Sequence, residues 1–447
     1  MSSSTASSDP SHPAPGALLD PWPAPVADGP LAATVTVPGS KSLTNRYLVV
    51  GALAETDSLL RAPLDSRDTR LMVGALRELG TVVDEIVLDD EPAWVVRPQP
   101  LRGGGRVDCG LAGTVMRFLP PVAALADSPV LFDGDARARE RPMAALIGAL
   151  RDLGAEVADE GRGLLPFTVA APPGGLRGGT VRIDASGSSQ FVSALLLVGA
   201  RCPEGLTVVH DGPPLPSEPH VQMTVEVLRD CGVVVDDTVP GTWSVEPGEI
   251  RSLDVTVEPD LSNAGPFLAA AAVCGGSVTV PHWPQSTTQA GDLLRDVLDR
   301  MGAEVSLDRE GLTVTGTGEL YGLDLDLHEA GELAPVITAL AALAESPTRL
   351  RGIAHLRGHE TDRLAALSTE LNRLGGKVKE KKDGLLITPA PLHAGTVETY
   401  HDHRMATAAA VLGLRVPGIR IRDVATTRKT LADFPGLWTG MLRGAQR

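Results

Sequence analysis

A short phrase that recurs five times along the chain limits the possible folds more than any other feature. Each copy ends a pattern of helical spacing with a glycine and then begins a run of β-branched residues; the copies cover 75–83, 149–157, 227–235, 297–305 and 370–378. The five glycines follow one another at intervals of 70 to 78 residues. A glycine at this place supplies the left-handed conformation that ends a helix. The phrase therefore predicts the same helix-to-strand joint in each copy.

A second pattern has the same period and occurs six times. Helices rich in Ala and Leu are predicted to run on from Arg46, Arg117, Gln190, Ala264, Glu332 and Arg404. The sixth unit shows no clear second helix, because the chain closes on the Pro-Gly pair within 434–438. Chance similarity between α/β joints is an alternative, but regular spacing favours duplication. Six units as two sets of three predict two α/β domains of roughly 200 residues each.

Composition excludes several classes of function. A formal net charge of −16 disfavours non-specific binding to nucleic acid or anionic lipid. No apolar run reaches the roughly 18 residues that a membrane helix needs. The four cysteines are far apart and form no CxxC pair, which favours structural thiols in a reducing compartment. Residues 1–30 are rich in Ser, Pro and Ala without Lys or Arg, so we expect a disordered tail and a cytoplasmic protein.

Polar residues stand at the predicted starts of the Ala-rich helices. The sets differ between units and include Lys41, Arg46, Arg117 and Arg404. Helix N-termini present free backbone N–H groups and partial positive charge, which suits anionic ligands. A single Ser or Asp at such a place is usually only a cap. Their recurrence in six units predicts an anion-binding cleft where several helix ends meet.

The chain resembles the 5-enolpyruvylshikimate-3-phosphate (EPSP) synthase family from about residue 35 to 438. The motifs that carry the resemblance are Pro-Gly-Ser-Lys-Ser-Leu-Thr-Asn-Arg at 38–46, Ala-Gly-Thr-Val-Met-Arg at 112–117, Arg-Ala-Arg-Glu-Arg-Pro at 137–142, Ser-Ser-Gln at 188–190, Glu-Thr-Asp-Arg at 360–363, Asp-His-Arg at 402–404 and Lys429. The resemblance implies two inside-out α/β domains, each of three βαβαββ units, with helix N-termini facing the interdomain cleft. It places one domain at 41–258 and the other at 31–40 plus 259–447.

The resemblance also implies two substrates and their sites. Shikimate 3-phosphate is expected to contact Lys41, Ser42, Arg46, Ser188, Ser189, Gln190, Ser217, Glu332 and His359. Phosphoenolpyruvate is expected to contact Lys41, Gly113, Arg137, Gln190, Arg363, Arg404 and Lys429. Guanidinium groups suit the carboxylate and phosphate of this donor because they bind bidentately. The small Gly113 favours sensitivity to glyphosate, the inhibitor that targets this family.

The family reaction needs one base and one acid. By resemblance Glu332 is the base, Glu360 is the proton donor and Lys41 assists. The reaction implies no cofactor and no metal, although His401 and His403 flank Asp402. Four positions depart from the commonest bacterial pattern; they are Glu332 for Asp, His359 for Lys, His355 for Asn and His220 for Tyr. A monomer is expected.

Two rival functions remain open from the sequence. A transferase acting on UDP-N-acetylglucosamine would share the fold and the enol donor, but that family has a reactive cysteine in the loop that corresponds to 135–142, and this loop has none. A non-catalytic paralogue that binds phosphorylated metabolites would be expected to lose its acid and base, yet both Glu332 and Glu360 are present.

Overall fold

A computed structural model describes residues 19–444, and within them the apolar core is divided in two. One cluster of buried side chains draws its members from 43–257 and defines the first lobe. The other combines members from 22–37 and 261–441 and defines the second lobe. Burial of apolar surface is the main force that stabilises each lobe. Within 19–444, no helix has the length and apolar character needed to cross a membrane.

Most strands are short. In chain order the strands of the described region are β1 (Trp22–Pro23), β2 (Leu31–Thr34), β3 (Ser58–Arg61), β4 (Val82–Leu88), β5 (Glu91–Arg97), β6 (Arg106–Asp108), β7 (Val130–Asp133), β8 (Glu156–Ala158), β9 (Phe167–Ala170), β10 (Gly179–Ile183), β11 (Leu206–His210), β12 (Val235–Asp236), β13 (Thr242–Val245), β14 (Asp254–Thr256), β15 (Gly276–Pro281), β16 (Glu304–Leu307), β17 (Gly311–Gly316), β18 (Asp324–Asp326), β19 (Thr348–Arg351), β20 (Lys377–Lys381), β21 (Gly384–Thr388), β22 (Gly395–Val397) and β23 (Ile419–Ile421).

The α-helices alternate between the inside and the outside of each lobe. They are α1 (Lys41–Leu53), α2 (Arg67–Glu78), α3 (Gly113–Ala123), α4 (Ala144–Asp152), α5 (Gln190–Gly199), α6 (Pro219–Asp230), α7 (Leu261–Cys274), α8 (Leu294–Arg300), α9 (Ala334–Ala342), α10 (Arg363–Arg373), α11 (His403–Gly413) and α12 (Phe434–Gly444). Short 3₁₀ turns cover Ala138–Glu140, Ala290–Leu293, Gly331–Leu333, Ala354–Gly358 and Val424–Lys429.

Five of the six sheets formed by residues 19–444 share one topology. In each, a parallel pair is extended by an antiparallel hairpin, as in the orders β6-β7-β9-β8 and β18-β19-β21-β20. The odd-numbered helices from α1 to α11 are apolar on nearly all sides and lie inside the lobes, whereas α2, α4, α6 and α10 bury one face. The prediction of two similar inside-out α/β domains is confirmed.

The chain crosses between the lobes twice at one place. Ser40 N donates to the Glu258 carbonyl at 2.7 Å, and Asp260 N donates to the Pro38 carbonyl at 2.9 Å. As a result β2 pairs with β15 in the second lobe, while β14 pairs with β3 in the first. A Cβ atom at Gly39 would lie 2.5 Å from the Ala62 carbonyl oxygen, so this approach requires glycine.

The recurrent glycines have the predicted conformation. Gly80, Gly154, Gly232, Gly302 and Gly375 have φ values of 97°, 92°, 79°, 109° and 93°. Each follows the end of an outer helix and precedes a strand. The expected joint is therefore present five times.

The N-terminal region differs from its prediction. Residues 1–18 lie outside the described residues, but 19–30 are packed on the second lobe, so the predicted disorder is wrong there. Trp22 and Ala24 are buried, and β1 pairs antiparallel with β23. This strand occupies the place of the hairpin that the sixth unit lacks. The Pro-rich composition of this region gave no sign of β1, whose apolar side chains join the core of the second lobe.

The end of the chain also differs from its prediction, because the sixth unit does have a second helix. α12 begins at Phe434, and Pro435 and Gly436 lie in its first turn. Proline is tolerated there since its missing N–H would have no partner inside the helix. The Asp433 side chain accepts a hydrogen bond from Gly436 N at 3.0 Å. Phe434 and Trp438 are fully buried.

Candidate active site

A polar cleft lies between the two lobes, at the N-terminal ends of the inner helices. Its walls include residues from the starts of α1, α3, α5, α9 and α11. The space between them, including its opening to solvent, is about 940 Å³. Helix N-termini from both lobes therefore bring partial positive charge to one volume. The predicted orientation of the helices is confirmed.

Most of the predicted site residues line this cleft. Those that do are Lys41, Ser42, Gly113, Ser188, Ser189, Gln190, Ser217, Glu332, His359, Glu360, Arg363 and Arg404. The other three are Arg46, Arg137 and Lys429.

Arg46 lies behind the cleft rather than on its wall. Its side chain has no exposed surface, and its guanidinium donates to Thr224 Oγ1 at 2.7 Å, to the His220 carbonyl at 2.7 Å and to the Ser42 carbonyl at 3.0 Å. Thus every nitrogen of the guanidinium already donates to a protein acceptor. This geometry differs from the direct substrate contact that the sequence predicted. Arg46 instead fixes the main chain beneath Ser42 and His220.

Arg137 and Lys429 both reach Glu360 from the edge of the cleft. Lys429 Nζ donates to Glu360 Oε1 at 2.8 Å and is largely buried. Arg137 belongs to the first lobe and is half exposed; its Nε lies 3.4 Å from the Glu360 carbonyl oxygen in the second lobe. It also pairs with Glu140. The two cations therefore adjoin the predicted proton donor from different lobes.

Glu332 is held by a cation of the same lobe. The 3₁₀ turn at Gly331–Leu333 presents the carboxylate, and Arg404 Nη2 donates to its Oε2 at 2.5 Å. Burial acts to raise the pKa of Glu332, but the cations Arg404, Arg363 and Lys41 together hold it well below its usual range. Glu332 is therefore ionised at neutral pH, the state that a general base needs.

Glu360 lies between two cations. Lys429 contacts one carboxylate oxygen, and Arg363 Nη2 donates to the other at 2.8 Å. Arg363 is itself fixed by a buried ion pair with Asp402, at 2.8 Å from Nε to Oδ2. Burial favours a raised pKa for Glu360, yet Lys429, Arg363, His403 and Lys41 bring it well below the ordinary value. With protein groups alone as neighbours, this carboxyl is ionised too.

Lys41 is the first residue of α1 and joins the two lobes. Its backbone N donates to Asp260 Oδ2 of the second lobe at 3.3 Å, and its Nζ lies 3.4 Å from Asp68 Oδ2 of the first. Burial lowers the pKa of the ammonium, but Asp68, Glu360 and Glu332 outweigh that effect and the net pKa is raised. A protonated Lys41 therefore faces both predicted catalytic carboxylates.

Two arginines of the cleft were not among the expected substrate contacts, although Arg117 was one of the cations expected at a helix start. Arg117 and Arg141 flank Gly113, and each has a buried Nε without a partner in the described part of the chain. Arg117 Nη1 also donates to Gln190 Oε1 at 2.9 Å. A Cβ at Gly113 would lie 3.1 Å from both terminal nitrogens of Arg141. The motif at 137–142 contains Arg141, but only the fold shows that its side chain turns inward.

Three histidines stand where the family pattern has other residues. His220, His355 and His359 all line the cleft. Burial lowers the pKa of each, for His355 to about 4. Arg363 Nη1 lies 3.3 Å from His359 Nδ1. Since guanidinium can only donate, Nδ1 accepts, and His359 is a neutral imidazole with its proton on Nε2. At these three positions burial therefore favours the neutral form of the ring.

The duplicated lobes and their cationic cleft define an enzyme of the enolpyruvyl transferase fold. The structure resembles an EPSP synthase from Acinetobacter baumannii with a TM-score of 0.78 and 24% identity, over 93% of this chain and 97% of that one. It also resembles the enolpyruvyl transferase NikO from Streptomyces tendae with a TM-score of 0.69 and 19% identity, over 93% and 96% of the two chains.

Sequence similarity is closer. The profile described as EPSP synthase (3-phosphoshikimate 1-carboxyvinyltransferase) matches residues 26–438. A protein from Kocuria rhizophila named 3-phosphoshikimate 1-carboxyvinyltransferase is 59% identical over 432 residues, which cover 95% of this chain and 97% of that protein. The chain belongs to the EPSP synthase family.

Proposed function

We propose that the cleft binds shikimate 3-phosphate and phosphoenolpyruvate together and transfers the enolpyruvyl group to the 5-hydroxyl, releasing phosphate. Family membership sets the reaction, which is a step of aromatic amino acid biosynthesis. The observation that carries the assignment of the site is that two carboxylates, Glu332 and Glu360, face one cationic cleft with Lys41 close to both. Addition and elimination need one base and one acid on the same substrate pair.

Shikimate 3-phosphate is assigned to the side of the cleft formed by the start of α5. Ser189 precedes α5, and its hydroxyl makes no cap bond, so it is available to a phosphate together with Ser188. The remaining contacts are Lys41, Ser42, Gln190, Ser217, Glu332 and His359. Arg46 supports this wall through Ser42, as its buried hydrogen bonds suggest.

Phosphoenolpyruvate is assigned to the more cationic side. Its carboxylate and phosphate would meet Lys41, Gly113, Arg137, Gln190, Arg363, Arg404 and Lys429. We add Arg117 and Arg141, because two buried guanidinium groups with unpaired nitrogens call for an anion.

Proton transfers complete the assignment. Glu332 takes the proton of the 5-hydroxyl as its oxygen bonds to C2 of phosphoenolpyruvate, and Glu360 gives a proton to C3. The tetrahedral intermediate then loses phosphate from C2, which leaves with the proton that Glu332 had taken, and a C3 proton returns to Glu360. An ionised Glu360 must first gain a proton. The carboxylate and phosphate of phosphoenolpyruvate would draw Lys429 and Arg363 away from Glu360 and so raise the pKa of this carboxyl group.

The test is release of inorganic phosphate. We expect steady release when both substrates are supplied and none above background with either alone. Release from phosphoenolpyruvate without shikimate 3-phosphate, or binding of both without release, would contradict the assignment. The second result is what a non-catalytic binding protein would give.

Other rivals and properties are settled by simple measurements. The UDP-N-acetylglucosamine reaction is not favoured, since the loop at 135–142 has no cysteine, and Cys109, which precedes it in the sequence, is buried and does not line the cleft. We also propose a cytoplasmic monomer that keeps full turnover after chelator treatment and is inhibited by glyphosate. Light scattering would test the monomeric state. The phosphate assay would test the resistance to chelator and the inhibition by glyphosate.

A further inference from the structure

One loop of the first lobe holds a cleft residue in a strained conformation. The loop joins β11 to α6 and contains three prolines before Ser217. Ser217 is buried, lines the cleft and has φ of 51°, a value that non-glycine residues rarely adopt. Such a conformation persists where surrounding contacts fix it. The contacts that fix this loop therefore decide where the Ser217 hydroxyl points.

Two histidines bind the main chain of this loop, one from each lobe. Within the first lobe, His210 Nε2 lies 2.7 Å from the Pro213 carbonyl oxygen. From the second lobe, His328 Nε2 lies 2.8 Å from the Leu215 carbonyl oxygen. A carbonyl can only accept, so His328 carries a proton on Nε2. A second bond runs back, because Ser217 N donates to the His328 carbonyl at 3.3 Å.

His328 is firmly placed in its own lobe. It follows β18, its backbone N donates to Asp326 Oδ1 at 3.0 Å, and the preceding Leu327 N donates to the Arg351 carbonyl at 3.0 Å. Its ring meets that of His355 edge to face, with centroids 6.1 Å apart. The same segment reaches Glu332 four residues later. One segment of the second lobe thus carries both the proposed base, Glu332, and His328, which is hydrogen-bonded to the Ser217 loop.

We propose that His328 is a positioning residue that latches the lobes together and fixes Ser217 relative to Glu332 around shikimate 3-phosphate. The inference rests on the proposed function. His328 does not line the cleft, so it acts through the loop and not on the substrate. Loss of the latch removes binding energy that is the same in the ground state and the transition state. Such a loss raises KM and leaves kcat nearly unchanged.

The experiment compares three variants with the wild type. His328→Leu removes the donor at similar volume, His328→Gln keeps a donor at similar reach, and His393→Leu changes an exposed ring whose Nδ1 lies 2.9 Å from the carbonyl oxygen of its neighbour Ala394. We expect His328→Leu to raise KM for shikimate 3-phosphate, and its Kd by calorimetry, about threefold to tenfold, the range for loss of one hydrogen bond. kcat and Tm should be nearly unchanged. His328→Gln should restore most of the affinity, and His393→Leu should match the wild type.

Each outcome decides the matter. Unchanged Kd and KM in His328→Leu would overturn the proposal. An equal loss of affinity in His328→Gln and His328→Leu, together with a lower Tm, would also overturn it, because it would show that His328 only contributes to packing between the lobes. A wild type that releases no phosphate with both substrates would instead refute the proposed function. Calorimetry with shikimate 3-phosphate alone still tests the latch in that case.

Discussion

At the scale of single residues, the two proposed catalytic carboxylates have opposite roles and the same charge. Protein groups alone hold both Glu332 and Glu360 ionised, although burial favours the neutral form of each. The proposed base, Glu332, is therefore already ionised, whereas the proposed acid, Glu360, needs a bound ligand that raises its pKa. Phosphoenolpyruvate would bring its own negative charge to Lys429 and Arg363. In the proposed mechanism, protonation of Glu360 is thereby coupled to the binding of phosphoenolpyruvate.

Replacing Glu332 by Gln keeps the size of the side chain and removes its basicity. We expect turnover to fall about 10²-fold or more, the usual scale of general-base catalysis, while both substrates still bind. Phosphate release at saturating substrates and calorimetric Kd values would measure the two effects. Glu345→Gln, at an exposed position after α9, is the matched control. Near-normal turnover of Glu332→Gln would assign the base elsewhere.

His355 predicts part of the acid sensitivity of the fold. Its pKa is about 4 in the folded protein against an ordinary value of 6.5, chiefly because burial opposes its charge. As pH falls from about 6.5 to about 4, His355 binds a proton in the unfolded chain but not in the folded protein, so the free energy of unfolding decreases in that range. We expect the drop in Tm between pH 7.5 and pH 5 to be smaller in His355→Asn than in the wild type.

Other buried histidines still titrate, so the drop should lessen rather than vanish. His393→Asn, at an exposed ring, should keep the wild-type drop. Equal drops in His355→Asn and the wild type would exclude this source of acid sensitivity.

Sequence motifs located most cleft residues but not their partners. Residues close to a helix start, such as Ser189 and Arg404, could be predicted because the motif and the helix end coincide. Arg46 follows the same rule, yet one turn into α1 its side chain points into the lobe. Asp68 and Asp260 contact Lys41 across 27 and 219 residues of sequence. A local sequence pattern cannot predict contacts between residues so far apart in the sequence.

At the scale of elements, the turn before α11 combines an unusual backbone conformation with side-chain contacts to two other segments. Tyr400 and His401 have φ of 54° and 58°, an unusual pair for side chains of this size. Tyr400 Oη donates to Glu370 Oε1 at 2.7 Å, and His401 Nδ1 lies 2.9 Å from Asp423 Oδ2. These contacts lie outside the cleft and fix the direction in which α11 presents Arg404.

Tyr400→Phe removes one of these contacts without changing the ring. We expect KM for phosphoenolpyruvate to rise about threefold to tenfold, as for one lost hydrogen bond, because Arg404 is less well placed. The phosphate assay at varied donor concentration measures it. Tyr321→Phe is the control, since Tyr321 does not line the cleft and its exposed hydroxyl lies 3.4 Å from Glu319 Oε2. An unchanged KM in Tyr400→Phe would show that the remaining contacts suffice.

Elements could be predicted where a residue type has one physical use. The five cap glycines are such a case, because a left-handed residue after a helix is nearly always glycine. β1 and α12 are the opposite case. Each forms because tertiary contacts override local composition, with the Trp22 ring 6.3 Å from that of Phe434.

At the scale of the whole molecule, the N-terminal strand ties one end of the chain to the other. Trp22 is 8% exposed, and Ala24 N donates to the Ile419 carbonyl at 3.0 Å. We expect Trp22→Ala to reduce the free energy of unfolding by about 3 kcal/mol, the scale for truncating a large buried ring. Chemical denaturation measures it. Leu19→Ala, at a side chain that is 54% exposed, should change it by less than about 0.5 kcal/mol. Equal effects of the two changes would mean that Trp22 is not part of the core.

The exchange of β2 and β14 between lobes has a consequence for synthesis on the ribosome. β2 emerges among the first segments, but its partner β15 is made only after the whole first lobe. At about 5–20 residues per second, β2 waits on the order of ten seconds or more. The first lobe needs no later segment once β14 has emerged. β2 therefore remains unpaired until more than half of the chain has been made, and the second lobe, which is completed last, combines segments from both sides of the first lobe in the sequence.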